Sequence, residues 1–353
     1  MVSQVFYGER SRNPLARTVE LTGDRLRGGG RSTPLSELNL GAMAEAFHRG
    51  FWLGGGGTER PLEWLPEGAG AVPVTRVTGT ATPLKVRQAS EFARALGELA
   101  VRRCGGPGQV TALAARARAE GVPLWIARRF AQGPAGPVTV TVDRRLVRVD
   151  VWGPGAPAVR IRAPRGFHPD GPEPGKGLRL TVGEVAAELV LRKRLRKSKS
   201  SVEVRLPDRS WVLSRKDAES SWLLRDERRV ALLARPSRRP EQATVLLPLA
   251  PVRYESPDPL DAVMAQVFAV AFGLGDTTGS ARFRSKYRPG DGHEPADDAS
   301  WDRPWFSNLG RGRDDNEPGG GDGWGSDGGD GGSGDGGGGD SGGGGDGGGG
   351  GGD

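Results

Sequence analysis

The strongest constraint on the fold is an apolar stretch of thirteen residues, 262–274, in which Gln266 is the only polar side chain. Asp258 and Pro259 precede it and are typical of a helix N-cap and first helical position, while Gly273 or Gly275 can end the helix. A helix that is apolar on every side must be buried on every side. Thirteen residues are too few to cross a bilayer. The sequence therefore predicts a hydrophobic helix that other elements enclose, or that packs flat against them.

A strand-rich region comes directly before this segment. Val138, Val140 and Val142 alternate with threonines, and nine similar short runs follow. The ten candidate strands are residues 138–142, 146–152, 158–163, 178–182, 185–191, 202–206, 211–214, 222–225, 230–234 and 244–249. Turn residues separate them and no helical pattern interrupts them, so we expect an antiparallel meander that closes into a barrel or a sandwich.

The region before residue 137 has helical periodicity instead. Apolar residues recur at helical spacing from Ser36 to a stop at Gly50, and again over residues 90–103 and 109–120. The predicted fold class is therefore α+β. Its three parts are a mixed, helical N-terminal region (1–136), a strand-rich domain that ends in a buried helix (137–280) and a disordered acidic tail (281–353).

Residues 137–275 resemble the tubby C-terminal-like group, which includes the LURP-one-related and phospholipid scramblase families. The resemblance rests on the paired runs Ser210-Trp211-Val212-Leu213 and Ser221-Trp222-Leu223-Leu224, followed by the apolar segment 258–275. It implies an antiparallel barrel around a hydrophobic C-terminal helix, and a protein that binds phosphoinositides or associates with membranes. A β-sandwich covered by a helix is the alternative.

Charge is segregated along the chain. Residues 1–290 carry 47 basic and 28 acidic side chains, a net charge of +19, whereas residues 291–353 carry 3 basic and 15 acidic ones, a net charge of −12. Glycine fills 24 of the last 35 positions, so that segment cannot build a core. The basic body favours a polyanionic partner. Arginine outnumbers lysine 43 to 7, however, and the codon usage of a GC-rich genome explains the same excess.

One run is more basic than codon usage explains, because residues 192–199 contain three of the seven lysines. We predict a charged hairpin loop that binds phosphate groups of anionic lipid or of nucleic acid. A solvated turn that protects a sheet edge is the competing interpretation. The candidate polyanion-binding residues are Arg192, Lys193, Arg194, Arg196, Lys197 and Lys199. The run has no aromatic residue for stacking on bases, which favours lipid or protein.

The acidic segment that begins at Asp291 contains Trp301, Trp305 and Phe306. Aromatic residues in a disordered acidic segment are typical of a motif that docks on a groove. The segment is predicted either to bind a protein partner or to fold back on the basic body, where the tail would compete with external polyanions.

The sequence offers little for catalysis. It has one cysteine, Cys104, and three scattered histidines, His48, His168 and His293, without metal-ligand spacing. We therefore expect no catalytic residues, no cofactor and no metal site. The predicted protein is a non-catalytic, cytoplasmic binding protein without a secretory signal or a transmembrane segment, peripheral to a membrane if its partner is anionic lipid. An enzyme with an unrecognised site is the remaining alternative.

Overall fold

The computed structural model describes residues 4–9, 18–144, 146–164, 167, 174–235, 246 and 248–283. In this part of the chain the helices are α1 (Leu40–His48), α2 (Ala89–Arg103), α3 (Pro107–Glu120) and α4 (Pro259–Ala271). The N-terminal strands are β1 (Val5–Gly8), β2 (Glu20–Thr22), β3 (Arg25–Gly28), β4 (Arg31–Pro34), β5 (Phe51–Leu53), β6 (Glu59–Pro61), β7 (Gly70–Thr75) and β8 (Ala81–Val86). The later strands are β9 (Arg128–Gly133), β10 (Gly136–Asp143), β11 (Arg148–Trp152), β12 (Val159–Arg162), β13 (Arg179–Val182), β14 (Val185–Arg192), β15 (Ser201–Arg205), β16 (Ser210–Arg215), β17 (Ser220–Arg225), β18 (Arg228–Ala234) and β19 (Val252–Tyr254).

The N-terminal region builds its own core from α1, α2 and one sheet and two hairpins of short strands. Trp52, Phe92 and Leu96 are fully buried in it. The predicted helices at 90–103 and 109–120 are confirmed as α2 and α3. The helix expected from Ser36 begins later, at Leu40, because the Asn39 side chain accepts a hydrogen bond from the backbone N–H of Ala42 and acts as the N-cap.

The second region is a single antiparallel sheet in which β9 to β19 pair in sequence order. Nine of the ten predicted strands are confirmed as β10 to β18. The tenth, at 244–249, falls partly outside the described residues, and the final strand, β19, comes later in the chain. The sheet also begins earlier than expected, because β9 pairs with β10 along its whole length.

Helix α4 is buried as the sequence predicts. Every residue from Leu260 to Ala271 is buried, and the helix touches strands near both edges of the sheet, β9 to β12 on one side and β18 and β19 on the other. The sheet therefore wraps around the helix in a nearly closed barrel. Since β9 and β19 stand at the two ends of the strand order, α4 fills the space that the curled sheet encloses.

The two ends of α4 are held by different devices. At its start, the Asp258 carboxylate accepts from the backbone N–H of Leu260, and Pro259 takes the first helical position as expected. At its end, the predicted glycine stop is wrong, because Phe272 is already extended (φ −126°, ψ 155°). The buried Arg144 guanidinium donates to the carbonyl of Val270 at 2.6 Å, which satisfies one of the free carbonyls of the last turn.

No helix within the described residues has the length and apolarity that crossing a bilayer requires.

Candidate functional site

The basic loop, residues 192–199, joins β14 to β15 as the sequence predicts. All eight of its residues are exposed, and Leu195 is 106% exposed, as open to water as a side chain in an extended peptide. A short 3₁₀ turn, Lys197–Lys199, closes the loop, and the Ser200 hydroxyl accepts from the backbone N–H of Arg194 at 3.0 Å. The base of the loop is therefore fixed by a hydrogen bond, and its tip is apolar and exposed.

The positive charge of the basic loop is hardly compensated. Arg192 lies 3.3 Å from the Glu203 carboxylate, which also contacts Arg205 at 2.7 Å. The other five candidate residues, Lys193, Arg194, Arg196, Lys197 and Lys199, have no carboxylate within ion-pair distance among the described residues. The structure thus brings all six candidate residues together on one loop and leaves five of them in solvent.

Charge is also divided between the two ends of the barrel. In an antiparallel meander successive connections lie at opposite ends, so the connections fall into two groups, here called the Lys193 end and the Asp258 end. Among the described connecting residues, the Lys193 end has ten basic side chains and three acidic ones: Arg144, Lys176, Lys193, Arg194, Arg196, Lys197, Lys199, Lys216, Arg235 and Arg282 against Asp217, Glu219 and Asp276. The Asp258 end has one basic side chain and six acidic ones: Arg209 against Glu184, Asp208, Asp226, Glu227, Glu255 and Asp258.

The chain leaves the barrel at the Lys193 end. After α4 it passes under the base of the basic loop, where a Cβ on Gly279 would lie 2.8 Å from the carbonyl oxygen of Arg192. Gly279 also has a φ of +98°, a conformation that favours glycine. The backbone N–H of Asp276 donates to the carbonyl of Ala218 in the β16–β17 connection. The segment that leads to residue 283 is therefore packed against two connections of this end.

Many other arginines of the barrel have structural partners. Asp150 is fully buried on the outer side of β11, with the guanidinium groups of Arg148, Arg160 and Arg162 at 2.9, 2.6 and 2.5 Å. Burial alone would raise the pKa of Asp150, but Arg162 and Arg148 outweigh it and hold the pKa below its ordinary value. Arg160 also donates to the carbonyl of Glu120 at the end of α3. This cluster joins the N-terminal region to the barrel.

The residues considered for catalysis stay apart. Cys104 is half-buried at the end of α2, and burial raises the pKa of its thiol, which disfavours the reactive thiolate. His48 is exposed at the end of α1, whereas His168 and His293 lie outside the described residues. Within the described ranges no group of three His, Cys, Asp or Glu side chains could hold a metal ion.

The partner motif Trp301, Trp305 and Phe306, like the rest of residues 284–353 of the acidic tail, lies outside the described residues.

The sequence patterns do not single out two residues of the surface, Trp222 and Leu195. Trp222, quoted above only as part of a strand, lies half-buried on the outer face of β17 with three cationic side chains near its ring. Leu195 is the other such residue, and its only sequence signal is that it interrupts a run of basic side chains.

No protein-family model matches the chain, and neither does a curated protein or a solved structure. The resemblance of residues 137–275 to the tubby C-terminal-like group therefore stays a prediction.

Proposed function

We propose that the protein binds an anionic lipid surface through the basic loop. The observation that carries this proposal is the fully exposed Leu195 in the middle of six basic side chains. A leucine at the tip of a loop gains free energy when it enters the interfacial layer of a bilayer, at about 0.8 kcal/mol per buried CH₂ group. Each basic residue near an anionic leaflet adds about 1 kcal/mol.

The charge of the barrel ends gives the proposed orientation. The Lys193 end would face the membrane, because the excess of basic over acidic connecting residues gives this end a positive potential that attracts lipid phosphates and carboxylates. The Asp258 end, with six acidic connecting residues, would be repelled and would face away. The barrel would thus stand on the membrane with the axis of α4 steeply inclined to the surface.

Lipid is favoured over nucleic acid as the polyanion. Both classes of partner would use the same cationic groups, but nucleic acid gains little from an exposed leucine and usually stacks its bases on aromatic rings. The basic loop has no aromatic residue. The resemblance of residues 137–275 to the tubby C-terminal-like group favours the same class of partner.

We further propose that the acidic tail weakens this binding. Residues 291–353 of the tail have a net charge of −12 and follow the segment that packs under the basic loop. A tethered polyanion acts at a high effective concentration, on the order of millimolar for a short linker. Deleting residues 291–353 should therefore increase the affinity for anionic vesicles, most clearly at low salt.

Vesicle flotation with the full chain tests the lipid proposal. We expect flotation with phosphatidylcholine vesicles that contain phosphatidylserine and none with phosphatidylcholine alone. Leu195→Ala should weaken binding about tenfold, since it removes apolar atoms from the interface. Val185→Ala is the matched control, because Val185 is a 50% exposed apolar residue in the hairpin at the Asp258 end.

The charge contribution needs its own pair of variants. Lys193→Glu with Lys197→Glu should abolish flotation, whereas Arg209→Glu at the Asp258 end should leave it unchanged. A duplex oligonucleotide serves as competitor. Equal flotation of the Leu195→Ala and Val185→Ala variants, or tighter binding to the duplex than to the vesicles, would overturn the proposal.

A further inference from the structure

We infer that the outer face of the barrel around Trp222 is the docking surface for residues 291–306 of the same chain. This surface, the Trp222 face, consists of Val212, Trp222, Leu224 and Leu232 with the cationic side chains of Lys216, Arg229 and Arg253. It is separate from the basic loop and does not depend on lipid binding.

The apolar part of the Trp222 face follows from strand register. Leu224 lies opposite Val212 across the β16–β17 pair, and Trp222 lies opposite Leu232 across the β17–β18 pair. Residues between them in sequence, such as Leu213 and Leu223, are fully buried and point to α4. The four outer side chains are half-buried and adjacent, so they form one continuous apolar area that faces away from the core.

The cationic part surrounds the tryptophan ring. The Arg229 guanidinium lies 4.5 Å from the ring centroid of Trp222, the Lys216 ammonium 5.7 Å and the Arg253 guanidinium 5.9 Å. Lys216 lies 3.6 Å from Asp217 and Arg253 lies 2.8 Å from Glu255, so the positive charges of Lys216 and Arg253 are partly neutralised. Arg229 has no carboxylate within ion-pair distance in the described part of the chain. The face is therefore apolar with a net positive charge.

Residues 291–306 have the complementary composition. They contain five acidic side chains and one basic one, Arg303, together with the aromatic residues Trp301, Trp305 and Phe306. Carboxylates would pair with Arg229 and its neighbours, and the aromatic rings would cover the apolar area. A protein surface with this mixture of apolar and cationic groups suits an acidic, aromatic segment better than it suits either a purely apolar or a purely anionic partner.

The chain leaves the described structure at the end of the barrel that the Trp222 face borders. The described residues end at Phe283, whose ring packs against Phe167 in the β12–β13 connection, and seven residues earlier the backbone N–H of Asp276 donates to the carbonyl of Ala218. Ala218 belongs to the same β16–β17 connection as Lys216. Seven residues lie between Phe283 and Asp291, so the two Cα atoms are eight steps of the chain apart and up to about 27 Å distant when it is extended. The inference therefore requires the chain to cross this end of the barrel between residues 283 and 291.

Distances between two spin labels test the inference in the full chain. In a Cys104→Ser background, which removes the only native cysteine, Glu188→Cys and Ser300→Cys provide the labelling positions. Glu188 is an exposed residue of β14, outside the Trp222 face. Double electron–electron resonance should give a narrow, short distance distribution if the segment is docked.

Two independent variants should broaden that distribution. Trp222→Ala removes the ring, and Arg229→Glu reverses an exposed charge without altering the core. If both variants broaden the distance distribution, the broadening does not arise from unfolding. Trp152→Ala is the matched control, because Trp152 is half-buried at the end of β11, elsewhere on the barrel. High salt should broaden the distribution partially, as screening weakens the ion pairs.

The outcomes are distinct. A distribution that is broad from the start, or that both variants leave narrow, overturns the inference. A narrow distribution that disappears when labelled protein is diluted with unlabelled protein assigns the face to a second copy of the chain and equally overturns it. Vesicle flotation plays no part in this readout, so failure of the lipid proposal would leave it intact.

Discussion

Trp211 donates its indole N–H to the carboxylate of Asp261 at 2.8 Å, and both side chains are fully buried inside the barrel. The second carboxylate oxygen of Asp261 lies 2.9 Å from the Arg225 guanidinium, which also contacts Asp258. Asp258 and Asp261 belong to the N-cap and first turn of α4, where negative charge is favourable. The contact therefore ties β16 and β17 to the start of the enclosed helix.

Replacement of Asp261 should be severe. Asp261→Ala leaves the indole N–H of Trp211 and the charge of Arg225 without their buried partner, so we expect a loss of about 3–5 kcal/mol of unfolding free energy. Urea titration followed by circular dichroism measures it. Asp208→Ala, in an exposed turn at the same end, should change the unfolding free energy by less than about 0.5 kcal/mol. Equal losses in the two variants would contradict this view of the contact.

Replacement of Gln266, in the middle of α4, should have a milder effect on stability. Gln266 is 1% exposed, its Nε2 donates to the Tyr254 hydroxyl at 2.8 Å, and its Oε1 has no hydrogen-bond partner within the described part of the chain. Gln266→Met removes that unsatisfied oxygen, so stability should be unchanged or rise by about 1 kcal/mol. A loss of more than about 2 kcal/mol on urea titration would show that the amide oxygen is satisfied after all.

The Gln266→Met variant should also change the pKa of Tyr254. Burial raises the pKa of Tyr254, while the hydrogen bond from Gln266 lowers it in part. Without that bond, the pKa of Tyr254 should rise further above its ordinary value. Ultraviolet absorbance titration of wild type, Gln266→Met and a Tyr254→Phe reference isolates the contribution of this tyrosine. An unchanged or lower pKa in the variant would refute the assignment.

Asp150 gives a prediction on acid stability. Its pKa is lowered in the folded protein, so the unfolded chain binds the proton more readily and stability falls as the pH drops. The contribution is complete above the unfolded pKa of about 3.9 and disappears as the pH falls through the lower folded pKa. Asp150→Asn should remove this part of the acid dependence. Urea midpoints over this pH range measure it, and parallel curves for the two proteins would exclude the cluster as its source.

Gly279 should be intolerant of a side chain. Its φ of +98° and the 2.8 Å approach of a Cβ to the Arg192 carbonyl both oppose alanine, so Gly279→Ala should cost about 2 kcal/mol or more. Gly41, near the start of α1 with open space around its Cα, is the matched position where alanine should be neutral or stabilise by up to about 1 kcal/mol. Thermal melts compare the two, and a tolerant Gly279 would mean that the exit segment packs loosely.

Sequence patterns predict those parts of the fold that local periodicity determines. The apolarity of α4 fixes its burial, and the alternation of valine with polar residues fixes most of the meander. Strand β9 escapes because it begins with Arg128 and Arg129 and carries Phe130 on the outside, 65% exposed, so its alternation is not apolar inside and polar outside. Strands β1 to β6 have only three or four residues, too few for a period to be recognised, and β7 and β8 each contain a proline, which is atypical of a strand.

Surface sites depend on register and topology, which the sequence does not display. The six candidate residues of the basic loop lie within eight consecutive positions, so the sequence alone predicts that they act together. Lys216, Trp222, Arg229 and Arg253 come from four successive segments of the chain and meet only because β16 to β19 pair in register. The opposite charges of the barrel ends are hidden for the same reason, since successive connections alternate between them.

The enclosed helix has a consequence for how the barrel forms. The sheet is synthesised before the helix that it encloses. Strands β9 to β19 all precede α4 in the chain, and their inner side chains pack mainly against that helix. During synthesis the strands cannot be stabilised one by one, because the apolar surface of α4, which buries their inner side chains, is missing until residue 271 has been added. Until then the sheet stays open with its apolar face exposed, and exposed strand edges in that state promote aggregation. Formation of this half of the protein is thus a single late event, and any change that delays entry of the helix should lower the yield of folded protein more than its stability.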